Sequence, residues 1–176
     1  YVASSVTINR IEVWVTNKRG NYDQSRNIVA LADLGEWNAA HILNASWKPT
    51  EGARNPYNKA NSLYETLIQN HPNVRDIQQV SSVMQDISNM ELGEAYEKVE
   101  SARLLNSGEY TLNAALGYIS LKTALNQDEV LAVAYEYTYA GQVYQVGEFS
   151  TDASETLKAP NALVLKLLKS TNNAPS

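Results

Sequence analysis

Few residues in this chain have the types and spacing that chemistry needs. Zinc and catalytic metal sites are built from clustered imidazoles, thiolates and carboxylates. The chain has no cysteine, and its two histidines, His41 and His71, form no H-x-x-H pair. His41 reads as a loop residue. His71 precedes Pro72 and reads as a helix-end residue, where the helix dipole favours a cation. No G-x-S-x-G elbow presents a serine nucleophile, and no base stands near a serine in a recognisable pattern. Carboxylates come closest at Asp33 and Glu36, around Gly35, and at Asp128-Glu129. Calcium selects clustered carboxylate and carbonyl oxygens, but the spaced D-x-[DN]-x-[DN]-G loop is missing. Asp128-Glu129 therefore reads as a turn cap ahead of a strand. These patterns yield no catalytic residue, no metal ligand and no cofactor-binding residue, and the expectation is a protein that is not an enzyme.

Aromatic residues are the remaining candidates. Eleven tyrosines and three tryptophans stand against one phenylalanine, a balance that suits half-buried sheet faces and contact platforms because each ring carries a polar handle. Trp37, Trp47, Tyr22 and Tyr57 fall in loop-like sequence, where binding residues concentrate. They are the candidate surface contacts. The plainer reading is that they fold over sheet edges as satellite core.

At 176 residues with 44% apolar content, the chain is long enough for one domain with an insertion, and disorder is not expected. A net charge of −5 argues against nucleic acid and anionic membrane surfaces, which select basic patches. The lack of cysteine leaves the redox compartment open. No run reaches the roughly 18 apolar residues of a spanning helix, so direct membrane spanning by this segment is not expected. The sequence opens at Tyr1 without a start methionine or signal peptide and reads as a piece of a longer protein.

The elements that position these residues are mostly strands. The clearest is a hairpin, VLAVAYEYTY (130–139) and QVYQVGEF (142–149), joined by Ala140-Gly141. A two-residue connection with glycine second favours a primed turn. That pairing sets Tyr137 opposite Tyr144 and Tyr135 opposite Val146, with Leu131, Val133, Tyr135 and Tyr137 on one face and Ala132, Ala134, Glu136 and Thr138 on the other. The alanines predict a closely packed second layer. TINRIEVWVT (7–16) is a strand with Ile11, Val13 and Val15 on one side and Trp14 on the other; Ile8 falls off the alternation. NIVALAD (27–33) is apolar throughout and predicts burial on both faces. ALVLKLLK (162–169) is the last strand, with Leu163, Leu165 and Leu167 on one face.

Between them, residues 34–56 are irregular, with a short helical turn over 36–43. Residues 57–90 carry helical periodicity in two stretches parted by His71-Pro72: Leu63, Leu67 and Ile68, then Val74, Ile77, Val80, Val83, Met84 and Ile87. They predict a helical hairpin over one sheet face or edge. Residues 98–104 and 117–122 read as further strands. The expected fold is mainly β (α+β): an antiparallel β-sandwich of about six to eight strands, a single soluble domain over 1–170 with a helical insertion at about 57–90 and an exit linker at 171–176.

Three segments carry a resemblance: RIEVWVTNKRGNYDQSRNIVALADLGE (10–36), EYTLNAALGYISLKTALNQDEVLAVAYEYTYAGQVYQVGEFS (109–150) and LLKSTNNAPS (167–176). They resemble the SprA/Sov family, the outer-membrane translocon of the type IX secretion system of Bacteroidetes, a cell-surface protein of gliding motility. Residues 37–108 lie outside the resemblance. It implies an outer-membrane parent protein, with this segment a soluble insertion at the extracellular surface or periplasmic face. The implied function is a non-enzymatic module for protein transport that shapes the pore or docks partners: other secretion-system subunits, secreted cargo proteins, or the remainder of its own longer chain. No cofactor and no nucleic acid are implied. The competing reading is a carbohydrate-binding β-sandwich module of a cell-surface protein using Trp37, Trp47 and Tyr57.

Overall fold

The alternating stretches form eight strands and the periodic ones two short helices, in a computed structural model that describes residues 6–113 and 117–171. The strands are β1 (Thr7–Val15), β2 (Arg26–Leu31), β3 (Tyr96–Leu104), β4 (Tyr110–Asn113), β5 (Tyr118–Leu121), β6 (Leu131–Tyr139), β7 (Gln142–Val146) and β8 (Leu163–Lys169). Helices α1 (Leu63–Asn70) and α2 (Val80–Gln85) lie between β2 and β3.

The strand order β1-β3-β2-β8-β6 closes on itself, because β1 also pairs with β6, and β7 hangs on β6. The result is a five-stranded barrel. All its pairings are antiparallel except β2 with β8. Chain order places β8 last, inserted between β2 and β6. The expected sandwich is corrected here, and the reason lies in what covers each face. Trp14, Ile28, Val99, Ala132, Ala134 and Leu165, drawn from all five strands, meet in one buried cluster inside the wall. The alanines leave the room that Trp14 fills. Outside, Val29, Leu31 and Val164 are covered by Leu63, Leu67, Val80 and Met84. Val13, Val15 and Val133 are covered by Ile119 and Leu121 of the β4–β5 hairpin. Both strand faces are buried, as two stacked sheets would bury them, but the outer layers are helices, loops and a small hairpin.

The β6–β7 hairpin has the expected register, Tyr137 against Tyr144 and Tyr135 against Val146. Ala140 (φ 49°) and Gly141 (φ 78°) are both left-handed, the conformation of a type I′ turn. The second strand stops at Val146 instead of reaching Phe149, because Gly147 (φ 79°) redirects the chain. β1 carries the anticipated irregularity, a register shift between Ile8 and Arg10. In β3 simple alternation fails. Ser101 is left-handed (φ 51°), and the resulting bulge turns Val99 and Ala102 to the same inward face. Asn27 Oδ1 accepts the Ser101 N–H at 2.9 Å and holds the bulge.

Within 57–90, α1 ends at His71 as Pro72 requires. The second helix is shorter than its apolar stripe. Pro72–Arg75 is a 3₁₀ turn. Asp76 is extended (φ −88°, ψ 111°), and its carboxylate accepts the Gln78 N–H at 3.0 Å, which competes with helix formation. The stripe is still buried at Val74, Ile77, Val80, Val83 and Met84. The expected hairpin of helices is thus a broken helical cover. No helix among the described residues is long and apolar enough to cross a membrane. Of the expected exit linker, residues 172–176 fall outside the described residues; Thr171 donates its N–H and hydroxyl to the Glu97 carboxylate.

Candidate interaction surface

Strand alternation places tyrosines on the outer face of the β6–β7 hairpin. Tyr135 and Tyr137 are two apart on β6, and Tyr144 pairs with Tyr137 across the ladder. Their rings make a continuous row. Tyr135 and Tyr137 centroids are 5.8 Å apart, Tyr137 and Tyr144 5.3 Å, and Tyr57 from the loop before α1 meets Tyr144 at 5.8 Å. The Tyr137 hydroxyl donates to the Pro56 carbonyl and ties that loop over the row. Burial, with the charge of Glu36 added, pushes the Tyr135 hydroxyl up to about 12. Burial also raises Tyr137, with Tyr135 beside it. At neutral pH these hydroxyls stay protonated. Tyr137 is 4% exposed and Tyr135 packs against the core, so the accessible end of the row is Tyr57 and Tyr144, both half-buried.

The free side of β7 runs along this row. In a two-residue hairpin the pairs next to the turn exchange both main-chain bonds and the next pair exchanges none. Gln142, Tyr144 and Val146 therefore bond to β6, while Val143 and Gln145 point their N–H and C=O groups outward, and these have no partner among the described residues. At the next outward position, Gly147, the Asn58 side-chain amide acts as a neighbouring strand would. It accepts the Gly147 N–H at 2.7 Å and donates to its carbonyl at 3.2 Å. Val143 is 62% exposed.

A polar clamp steadies this hairpin from behind. β6 pairs with β8 over its first residues and with β7 over its last, so the two partner strands part at a fork. Glu148 fills the fork. Its carboxylate accepts both Arg75 Nη1 and Nη2 at 2.7 Å, the Tyr64 hydroxyl at 2.6 Å and the Val164 N–H at 2.7 Å. Its own N–H donates to the Val164 carbonyl at 2.9 Å. Arg75 also donates to the Ala162 carbonyl at 3.0 Å. Burial raises the Tyr64 hydroxyl, and the charge of Glu148 raises it further.

The four candidate aromatics do not assemble. Trp47 is 5% exposed and packs with Leu63 and Val83 as satellite core. Trp37 is half-buried. Tyr22 is 63% exposed on the β1–β2 loop, which leaves β1 at Val15, opposite Leu131. Tyr57 sits at the other end of that ladder, beside Tyr144. Tyr57 alone joins the tyrosine row. Tyr135, Tyr137 and Tyr144 are not among the candidates, although YEYTY and VYQV show their alternation; what the sequence lacks is any sign that a loop ring extends the row.

The carboxylates weighed for calcium have protein partners. Asp33 accepts the Leu43 and Asn44 N–H groups at 2.7 and 2.9 Å, and Glu36 binds Lys166 at 3.0 Å. Asp128 pairs with Lys18, while the turn cap is made by Glu129, which accepts the Asn126 N–H at 2.8 Å. Among the described residues no three His, Asp or Glu side chains gather as a metal site would need. Compared with known proteins, the chain matches no family model and no curated protein.

Proposed function

We propose that this chain is a non-enzymatic docking module of an outer-membrane protein-secretion translocon of the type IX kind. On this reading it lies at the extracellular or periplasmic face of the parent protein and meets another translocon subunit or a secreted cargo protein. The observation that carries the docking role is the outer edge of β7, unpaired at Val143 and Gln145 and flanked by the half-buried Tyr57–Tyr144 pair. The secretion context comes from the resemblance. Its segments at 10–36 and 109–150 supply β1, β2 and β4 to β7, and its third segment begins in β8. The barrel interior is filled by side chains such as Trp14, Ile28 and Leu165, so the module's exchange with its surroundings is assigned to its outside.

The test is affinity capture from a cell-envelope extract with the chain as bait and identification of what is retained. Recovery of translocon subunits or secreted cargo, reduced by Tyr144→Ala, is expected. Recovery of neither class overturns the reading. The carbohydrate-binding alternative, which uses Trp37, Trp47 and Tyr57, has less support, because Trp47 is buried under the helical cover and offers no face to a sugar.

A further inference from the structure

We propose that the outer edge of β7 binds an extended, uncharged-to-basic strand of a partner protein by main-chain pairing, with one apolar or aromatic side chain of that strand seated against Tyr57 and Tyr144. This rests on the docking reading above and specifies how the docking is made.

Unpaired N–H and C=O groups on a strand edge are a template for another extended chain. Val143 and Gln145 offer both groups outward. That the template operates is visible one step along, where the Asn58 amide has taken the Gly147 N–H and carbonyl in the manner of a strand. Natural edges are usually blunted by charge, proline, bulges or shortness. Gln142–Val146 is QVYQV, with no charge and no proline, and its pairing with β6 shows no bulge. Shortness is its one safeguard, which suits a contact that forms and releases.

The groups on offer also select the occupant. A helix has spent its main-chain donors and acceptors internally, so it cannot use this edge. A second copy of the chain fits poorly. Antiparallel pairing of Val143 with Gln145 of another β7 would set the copy's Gly141 opposite Gly147, a place Asn58 already fills. Each copy also carries a net charge of −5, so two copies repel and a neutral or basic strand does not. The seat for a side chain follows from alternation: Tyr144 faces the same side as Tyr57, and a residue opposite Tyr144 on an added strand meets both rings.

The experiment titrates the isotopically labelled chain with a blocked heptapeptide of alternating threonine and valine carrying lysine at both ends. Amide resonances of Val143 and Gln145 should shift and their exchange with solvent should slow. A glutamate-ended version should bind roughly five-fold more weakly, and a version methylated at the pairing amides should not bind. Val143→Pro removes an outward N–H and leaves the hairpin bonds in place; it should weaken binding by about ten-fold or more. Tyr57→Ala leaves the edge intact and should lower affinity for a peptide with a central tryptophan more than for the valine parent, which keeps the test valid if the proline variant unfolds. Unchanged Val143 and Gln145 resonances, or wild-type binding by Val143→Pro, overturn the proposal. So does sedimentation showing that the chain dimerises through these residues. In envelope capture, partners retained equally by Val143→Pro would leave the docking reading standing and overturn this mode. Peptide binding without any captured translocon subunit or cargo would do the reverse.

Discussion

At Glu148 one buried carboxylate answers to Arg75, Tyr64 and the Val164 amide together. Removing a charge from water is costly, and the cost is offset here only while every partner is present. Arg75→Met should therefore destabilise the fold by about 3–5 kcal/mol in urea titration. Pairing it with Glu148→Leu should not restore stability, because the Val164 N–H and the Tyr64 hydroxyl would lose their acceptor. The clamp was invisible in the sequence, where Arg75 and Glu148 are 73 positions apart and each reads as an ordinary surface charge. The tyrosines carry a pH dependence of known sign. Tyr135 ionises near 12 in the folded chain, against about 10 for an exposed tyrosine. A group raised on folding contributes stability that is complete below its unfolded value and is lost as pH rises through the folded one. Stability should accordingly fall between about pH 10 and 12. Ultraviolet titration should show Tyr64, Tyr135 and Tyr137 ionising late, together with loss of β circular dichroism. Tyr135→Phe should flatten that alkaline decline.

Elements tied by local chemistry were legible, and those decided by distant neighbours were not. The β6–β7 hairpin follows from Ala140-Gly141 and the alternation on either side. The closing of the wall depends on β1 meeting both β6 and β3, and a strand apolar on both faces fits a barrel under covers as well as a sandwich. The shortness of α2 is not legible in the sequence, because the stripe from Val74 to Ile87 keeps helical spacing across Asp76, whose own side chain interrupts it. The open edge of β7 is hidden for a related reason, since alternation shows which side chains share a face but not which strand lacks a neighbour. Gly147 ends β7 at a tight crossing. A Cβ there would lie 2.9 Å from Ala134 Cβ and 3.0 Å from the Val133 carbonyl oxygen, at φ +79°. Gly147→Ala should cost about 2–4 kcal/mol by thermal or chemical unfolding, from left-handed strain and overpacking combined. Gly52, at φ +84° with nothing within 4 Å, isolates the strain alone, and Gly52→Ala should cost about 1–2 kcal/mol.

Across the molecule, the three tryptophans report the layers separately. Trp14 lies inside the barrel and Trp47 under the helical cover, while Trp37 is half-buried. Acrylamide should quench mainly Trp37, and Trp37→Phe should leave blue-shifted emission that resists the quencher until the chain unfolds. The placement of β8 governs something else, which part of the chain completes the wall. Residues up to 146 contain the partners for β2-β3-β1-β6-β7 as one open sheet, with β2 and part of β6 still lacking a neighbour. Leu163–Lys169 is the piece that satisfies both. A chain cut short before it keeps two open flanks, and seven further residues turn that unfinished rim into a sealed wall.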